Sequence, residues 1–382
     1  MVKERGPADC SLFTTFRRQL GNTNLVNTDR STRVMASSRI SPISKNASVD
    51  TIPNYGVNRF VSRFVDPPVV APEEAMSATS NGQLAFDAAG NLFIADRVNS
   101  RVRRVDAVTG AVTTFVGTGG EIDSALSEPR GLAFDAAGNL FISESTGHRV
   151  RRVDAVTRAI TTFAGTGTSG NGGDGGLATA ATIAGPWGLA FDTVGNLFIA
   201  TPGGNRVRRV DAVMGIISRF AGVGAPINGG DGGLAINAAI HAPYGLAFDD
   251  SGNLFITAVA GIRRVNSGGI ITTVTGTTGT GQIMNVAYRP GGFLYWSRFY
   301  ASSPFVYNVF KINLATNLVE TVAGTGVNGT LGDGGPATAA QLNDPAGVAF
   351  DSAGNLFIGS NASGQVRRVD AISGIITTVP GT

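Results

Sequence analysis

PRGLAFDAAGNLFIS (129–143) returns as PWGLAFDTVGNLFIA (186–200), PYGLAFDDSGNLFIT (243–257) and PAGVAFDSAGNLFIG (345–359), with the second letter changing nearly every time. Anchored on the aromatic of the Ala-Phe-Asp phrase, the unit recurs at Phe86, Phe134, Phe191, Phe248, Tyr288 and Phe350. A period of roughly 40–60 residues marks a repeat architecture. Each unit reads as four short strands. Gly-Leu-Ala-Phe-Asp comes first, then a D-x-x-G-N turn and Asn-Leu-Phe-Ile-Ala. Arg-Val-Arg-Arg-Val-Asp and Ile-Thr-Thr-Phe-Ala-Gly follow. The turn glycine accepts positive φ without a Cβ penalty and the aspartate caps the turn.

A four-stranded antiparallel meander cannot cover both its faces, whereas six arranged radially cover one another. The expected fold is therefore all-β, a six-bladed β-propeller over residues 56–382, preceded by a disordered tail over 1–55. The fifth unit is degenerate, AYRPGGFLYWSR (287–298), but Tyr288, Leu294, Tyr295 and Trp296 keep its apolar positions. Residues 61–65 read as a seventh outer strand, expected to clasp the last blade, either replacing or supplementing residues 375–379.

Bulk properties agree. The chain has 53 glycines in 382 residues and only 15% charged residues, a composition of strands and turns. Residues 1–50 carry eight Lys/Arg against four Asp/Glu, and the rest 22 against 23. Lys311 is the only lysine after residue 50. The repeated part is close to neutral, which disfavours a nucleic-acid partner. Cys10 is the single cysteine, so an intramolecular disulfide or thiolate zinc cluster cannot form. No apolar run is long enough to span a bilayer, and charges interrupt the first residues where a signal peptide needs an apolar core. Nothing in the sequence assigns a compartment. A monomer without cofactor is expected.

The run G-x-A-x-D-x-x-G-N-L-x-I-A-D, then N-x-R-V-R-R-V-D, then T-x-A-G-T-G…G-D-G-G-x-A-T-A-A resembles the NHL-repeat family of β-propellers over roughly residues 60–382. The resemblance implies the fold strongly and a function weakly. Such propellers include RNA-binding domains, extracellular sensor domains, adhesion-type modules and a metal-dependent amidating lyase.

In this strand order the innermost strand lines a central channel, and two loops per blade open on one face. Two rings of residues are then expected at the channel mouth. The first precedes the opening glycine: Gly82, Arg130, Trp187, Tyr244, Met284 and Ala346. The second ends strand two: Asp96, Glu144, Thr201, Ala258, Arg298 and Ser360. Scaffold positions repeat from blade to blade while these differ, and Trp, Tyr and Arg are enriched at recognition hot spots. Drift of solvated loop ends would diversify them equally. The candidate site for a protein or small ligand is Arg130, Trp187, Tyr244, Met284, Asp96, Glu144 and Arg298, with His241 beside them.

Other features read as scaffold. The Gly-Asp-Gly-Gly segments hold one carboxylate each (Asp174, Asp231, Asp333), too few for a calcium loop, and precede no helix with Lys-Ser/Thr. They read as inter-blade connections. The Arg-Arg pairs (103–104, 151–152, 208–209, 263–264, 367–368) sit on strand three and are expected to pair with Asp106, Asp154, Asp211 and Asp370. With only His148 and His241, a three-histidine zinc site is impossible. No metal ligands or catalytic residues are assigned. A metal-dependent hydrolase or lyase using Asp96 and Glu144 is the alternative to a non-catalytic binding propeller, with RNA binding third.

Overall fold

The computed structural model describes residues 81–259, 261–278, 282–299 and 307–382. The chain divides into two units, Met1–Asp66 and Pro67–Thr382, and all described residues belong to the second. The expected tail and the strand at 61–65 lie outside the described residues.

Six four-stranded antiparallel sheets follow one another along the chain, each in sequential strand order. The blades span 81–116, 129–164, 189–221, 246–273, 282–323 and 345–378. Among the described residues the sixth blade is completed by its own outer strand, Ile376–Thr378. The degenerate fifth unit forms a full blade with strands Gln282–Arg289, Phe293–Phe299, Asn308–Asn313 and Val319–Ala323.

The repeated turn is held by one device. In the first blade Asp87 accepts the backbone N–H of Asn91 at 2.8 Å and its side-chain amide at 2.8 Å. The same Asp–Asn pair recurs at 135/139, 192/196, 249/253 and 351/355. Asn91 then accepts the N–H of Ala107, tying the inner hairpin to the outer one.

The repeated phenylalanines explain how blades adhere. Phe93 of the second strand sits edge-on to Phe115 of its own outer strand and to Phe134 of the next blade, both at 5.0 Å. Phe141 relates in the same way to Phe163 and Phe191, and Phe198 to Phe220 and Phe248. Such pairs add about 0.5–1.5 kcal/mol each beyond burial. Phe357 against Phe86 at 4.9 Å closes the ring, in a core that joins Leu84, Ile94 and Val105 of blade one to Val366 of blade six.

Candidate functional site

The opening glycine is required by close approach of backbones. A Cβ at Gly131 would lie 2.0 Å from the Trp187 carbonyl oxygen, and one at Gly188 would lie 2.3 Å from that of Tyr244. At Gly347 the clash would be with the Gly82 oxygen at 2.6 Å. Innermost strands of neighbouring blades therefore touch backbone to backbone around the axis. Strand-two hydroxyls lock this arrangement. Ser143 accepts the Gly131 N–H at 2.7 Å and donates to the Trp187 oxygen at 2.5 Å, and Thr257 accepts the Gly245 N–H at 2.7 Å.

Immediately before this glycine the strand pairing is interrupted, between Pro129 and Leu132, Ile283 and Asn285, and Pro345 and Val348. A bulge re-aims a side chain at such a point. The residue three places before the glycine is left-handed at Glu128 (φ 48°), Gly185 (59°), Ala242 (46°) and Asp344 (48°).

All six members of the first ring line one cavity of about 30 Å³. Gln83 and Asn285, which occupy the glycine position in blades one and five, line it too, as does Asn361. The three bulky members come from consecutive blades and form a layered wall. The Arg130 guanidinium carbon lies 4.0 Å from the centre of the Trp187 ring, and that ring lies 4.5 Å from Tyr244, tilted by 56°. Gly82, Met284 and Ala346 on the other half of the ring leave the hollow.

Arg130 donates from Nε to Ser145 Oγ at 3.2 Å and from Nη2 to Glu128 at 3.4 Å. Burial, reinforced by Arg97 and opposed by Glu128, pushes it down to about 10, so it stays charged at neutral pH. Burial raises the Tyr244 hydroxyl, opposed by Arg130, and leaves it protonated. Burial also raises the Asp344 carboxyl, against the hydrogen bond that Asn361 donates to it at 2.7 Å. Asn285 as a residue is 4% exposed.

The second ring lies elsewhere. Asp96, Glu144, Thr201, Ala258, Arg298 and Ser360 are all buried at the base of the loops joining strands two and three, and none lines the cavity. The physical reason is that neighbouring loop and connection residues take up their polar atoms. Asn99 donates to both Asp96 oxygens, and the Ser127 N–H donates to Glu144 at 2.8 Å. Thr201 and Ser360 donate to the carbonyls of Arg206 and Asn343, and Arg298 to that of Thr277.

Their variation has a different origin. The first arginine of each strand-three pair needs a carboxylate. In blade one Asp96 supplies it to Arg103 at 3.4 Å, and in blade two Glu144 supplies it to Arg151 at 3.7 Å, with Arg149 also bound. In blades three, four and six the strand-two end is Thr, Ala or Ser, and the carboxylate arrives from the preceding Gly-Asp-Gly-Gly connection. Asp174 meets Arg208 at 2.7 Å, Asp231 meets Arg263 at 2.6 Å, and Asp333 meets Arg367 at 2.5 Å. Blade five has Phe310 in place of the arginine, stacked on buried Trp296, and neither acid. The second arginines pair with Asp106, Asp154, Asp211 and Asp370.

The two histidines do not line the cavity. His148 is left-handed (φ 49°) and its Nδ1 accepts the Gly185 N–H, as Asn205 accepts that of Ala242 one blade later. His241 donates its backbone N–H to Asn228 and accepts from Val259 through its carbonyl. Among the described residues no three His, Cys, Asp or Glu side chains cluster within reach of one metal ion. No helix among them is long and apolar enough to cross a membrane.

The family model of the Teneurin NHL domain matches residues 224–287. Solved structures share the fold at low identity. An auxiliary nutrient binding protein from Bacteroides thetaiotaomicron is 16% identical with a TM-score of 0.56, covering 79% of this chain and 70% of that one. A gluconolactonase from Xanthomonas campestris is 17% identical with a TM-score of 0.52, covering 75% and 85%. Virginiamycin B lyase from Staphylococcus aureus is 12% identical with a TM-score of 0.50, covering 78% and 84%. Blade topology makes this chain a six-bladed β-propeller, and the stretch 224–287 is similar to the NHL domain of teneurins.

Proposed function

We propose that this propeller is a non-catalytic binding module whose axial cavity receives a small ligand or a protruding group of a protein partner. The observation that carries the reading is the convergence of all six blade-variable inner residues on one cavity. A rigid scaffold with variable residues gathered at one opening is the usual placement of a recognition surface. The solved relatives include two enzymes and a binding protein, so the fold does not choose between these classes. What favours binding over hydrolysis or elimination is the state of the candidate acids. Asp96 and Glu144 are buried and committed to Arg103, Arg149 and Arg151, away from the cavity.

The test is a thermal-shift screen of a chemically diverse small-molecule and peptide library against the full chain and the Trp187→Ala/Tyr244→Ala variant. Compounds that raise the melting temperature of the former should lose most of that effect on the latter. Stabilisation undiminished in the variant would place binding on another surface.

A further inference from the structure

The clefts between neighbouring blades are built from the same repeat positions, and the one between blades five and six departs from the others. Between blades one and two a hollow of about 230 Å³ ends against Phe115 of the outer strand, with Phe93, Phe134 and Gly138 on its inner side. Between blades two and three the hollow lies on the outer side of the equivalent ring, Phe163, against Arg152, Leu177 and Ala178. In blade five the same position is Val322, and the two halves are one. A cleft of about 360 Å³ runs past it, from Tyr295, Phe350 and Gly354 on the inner side to Lys311, Pro336 and Ala337 on the outer side. Blade four also has a valine here, but Val274 is buried in a core with Phe255 and Trp296. The mouth differs too. Arg158 lies over Phe115 at 5.1 Å in the first cleft, whereas its counterpart between blades five and six is Gly374, where a Cβ would meet nothing within 4 Å.

Two polar groups that the other five blades lack border this space. Tyr295 stands where they have phenylalanine, and faces Phe350 at 4.7 Å. It is more than nine-tenths buried, and its hydroxyl has no hydrogen-bond partner among the described residues. Such a group is uncommon and costly. Arg289 stands where the other blades have the turn aspartate, a reversal of charge. Its guanidinium lies 5.7 Å from the Phe350 ring centre and against Gly354, and makes no ion pair or hydrogen bond with a described residue. The remaining charges are engaged: Lys311 with Glu320 at 2.7 Å, and Asp370 with Arg368 at 3.1 Å and the Ser373 hydroxyl at 3.0 Å. The cleft therefore offers an anion one guanidinium and one hydroxyl donor beside an apolar wall of Phe350, Leu356 and Val369.

We propose that this cleft is a second ligand site, sharing no lining residue with the axial cavity, and that it takes a small aromatic carboxylate. The ring of the ligand fills the place that Phe115 and Phe163 hold in their own clefts, edge-on to Tyr295, an arrangement aromatic pairs favour. The carboxylate meets Arg289, whose fork of donors matches its two oxygens, and accepts the Tyr295 hydroxyl. A volume near 360 Å³ falls within the range of ligand pockets, about 300–1,000 Å³.

Isothermal titration calorimetry of the full chain with phenylacetate, phenylacetamide and cyclohexylacetate tests this. Phenylacetate should bind best. The amide should lose about tenfold, the size of a charge-assisted hydrogen bond, and the cyclohexyl acid several-fold. Val322→Phe, which restores the ring of blades one to three, should abolish saturable phenylacetate binding, and its melting temperature shows whether it folds. Arg289→Gln should bring acid and amide level, which keeps the test decisive whatever the fate of the first variant. The Trp187→Ala/Tyr244→Ala variant should bind phenylacetate as the parent does. Amide or cyclohexyl binding equal to that of phenylacetate, undiminished binding in folded Val322→Phe, or no saturable heat at millimolar concentration would overturn the proposal. Phenylacetate binding that is lost with Trp187 and Tyr244 but kept in Val322→Phe would overturn it in favour of the axial cavity. A ligand found in this cleft and not on the axis would support this site and count against the axial reading, so the two fail separately.

Discussion

The Arg208 guanidinium, 0% exposed, meets the Asp174 carboxylate at 2.7 Å across the boundary between two blades. Its Nη1 and Nη2 also reach the carbonyl oxygens of Thr182 and Gly172 on the same connection. The Gly-Asp-Gly-Gly segment is thus a latch that fastens one blade's exit to the next blade's third strand. Removing only the acid strands a buried cation, which costs more than removing the arginine. Asp174→Ala should lower stability by about 2–3 kcal/mol. Arg208→Met, which keeps the stem and deletes the charge, should cost less. Urea unfolding of the two variants decides this, and an equal or reversed order would mean that the pair contributes packing rather than charge compensation.

A different set of carboxylates governs acid sensitivity. Backbone N–H donors in the outer turn, Thr109 foremost, hold Asp106 down at about 2, and the corresponding donors at Thr157, Met214 and Ser373 lower Asp154, Asp211 and Asp370. Because the folded values lie below the unfolded one, these groups add stability that is complete above about pH 4 and fades as the pH falls through the folded values toward 2. Thermal unfolding followed from pH 6 to pH 2 should show a steady loss below pH 4. Replacing all four by Asn should flatten that slope; an unchanged slope would assign the acid response to other groups.

The inner ring admits no added atom at its glycines. Gly131→Ala must push the Trp187 carbonyl, and with it the third blade, away from the axis. A loss of about 3 kcal/mol is expected. Gly229→Ala meets nothing within 4 Å and has no positive-φ constraint, so it should be close to neutral. Differential scanning calorimetry of the pair separates a steric requirement at the axis from a general intolerance of substitution.

Arg130 on Trp187 gives the cavity an optical handle. The chain has two tryptophans, and Trp296 is buried against Phe310. In a Trp296→Phe background, Arg130→Gln should shift the remaining emission and cost about 1 kcal/mol of stability. Emission indistinguishable between the two would mean that the guanidinium does not rest on the indole in solution.

The repeat made the fold legible. Six copies of one strand–turn–strand phrase leave little besides a radial array, and the apolar letters survive even in the fifth blade. The first variable ring was legible for the same reason, because Arg130, Trp187 and Tyr244 change where their neighbours cannot. The second ring does not reach the axial cavity. Asp96 and Glu144 supply the counter-charge for strand three, which in the blades ending in Thr201, Ala258 and Ser360 comes from the Gly-Asp-Gly-Gly connection. The signal lay in the sequence: a Gly-Asp-Gly-Gly connection precedes the three blades whose second strand ends without an acid and retains an arginine to pair. Nor did the repeat phrase reveal Gln83 and Asn285 as lining residues, since their importance arises from the side chain that glycine lacks at that bulge.

The most direct test of the central claim is a crystal structure of the full chain with a compound selected by thermal shift. The account predicts ligand density on the propeller axis, in contact with Arg130, Trp187 and Tyr244 on one side and Asn285 on the other. Density in the clefts between outer strands, with the axial cavity unchanged, would contradict it.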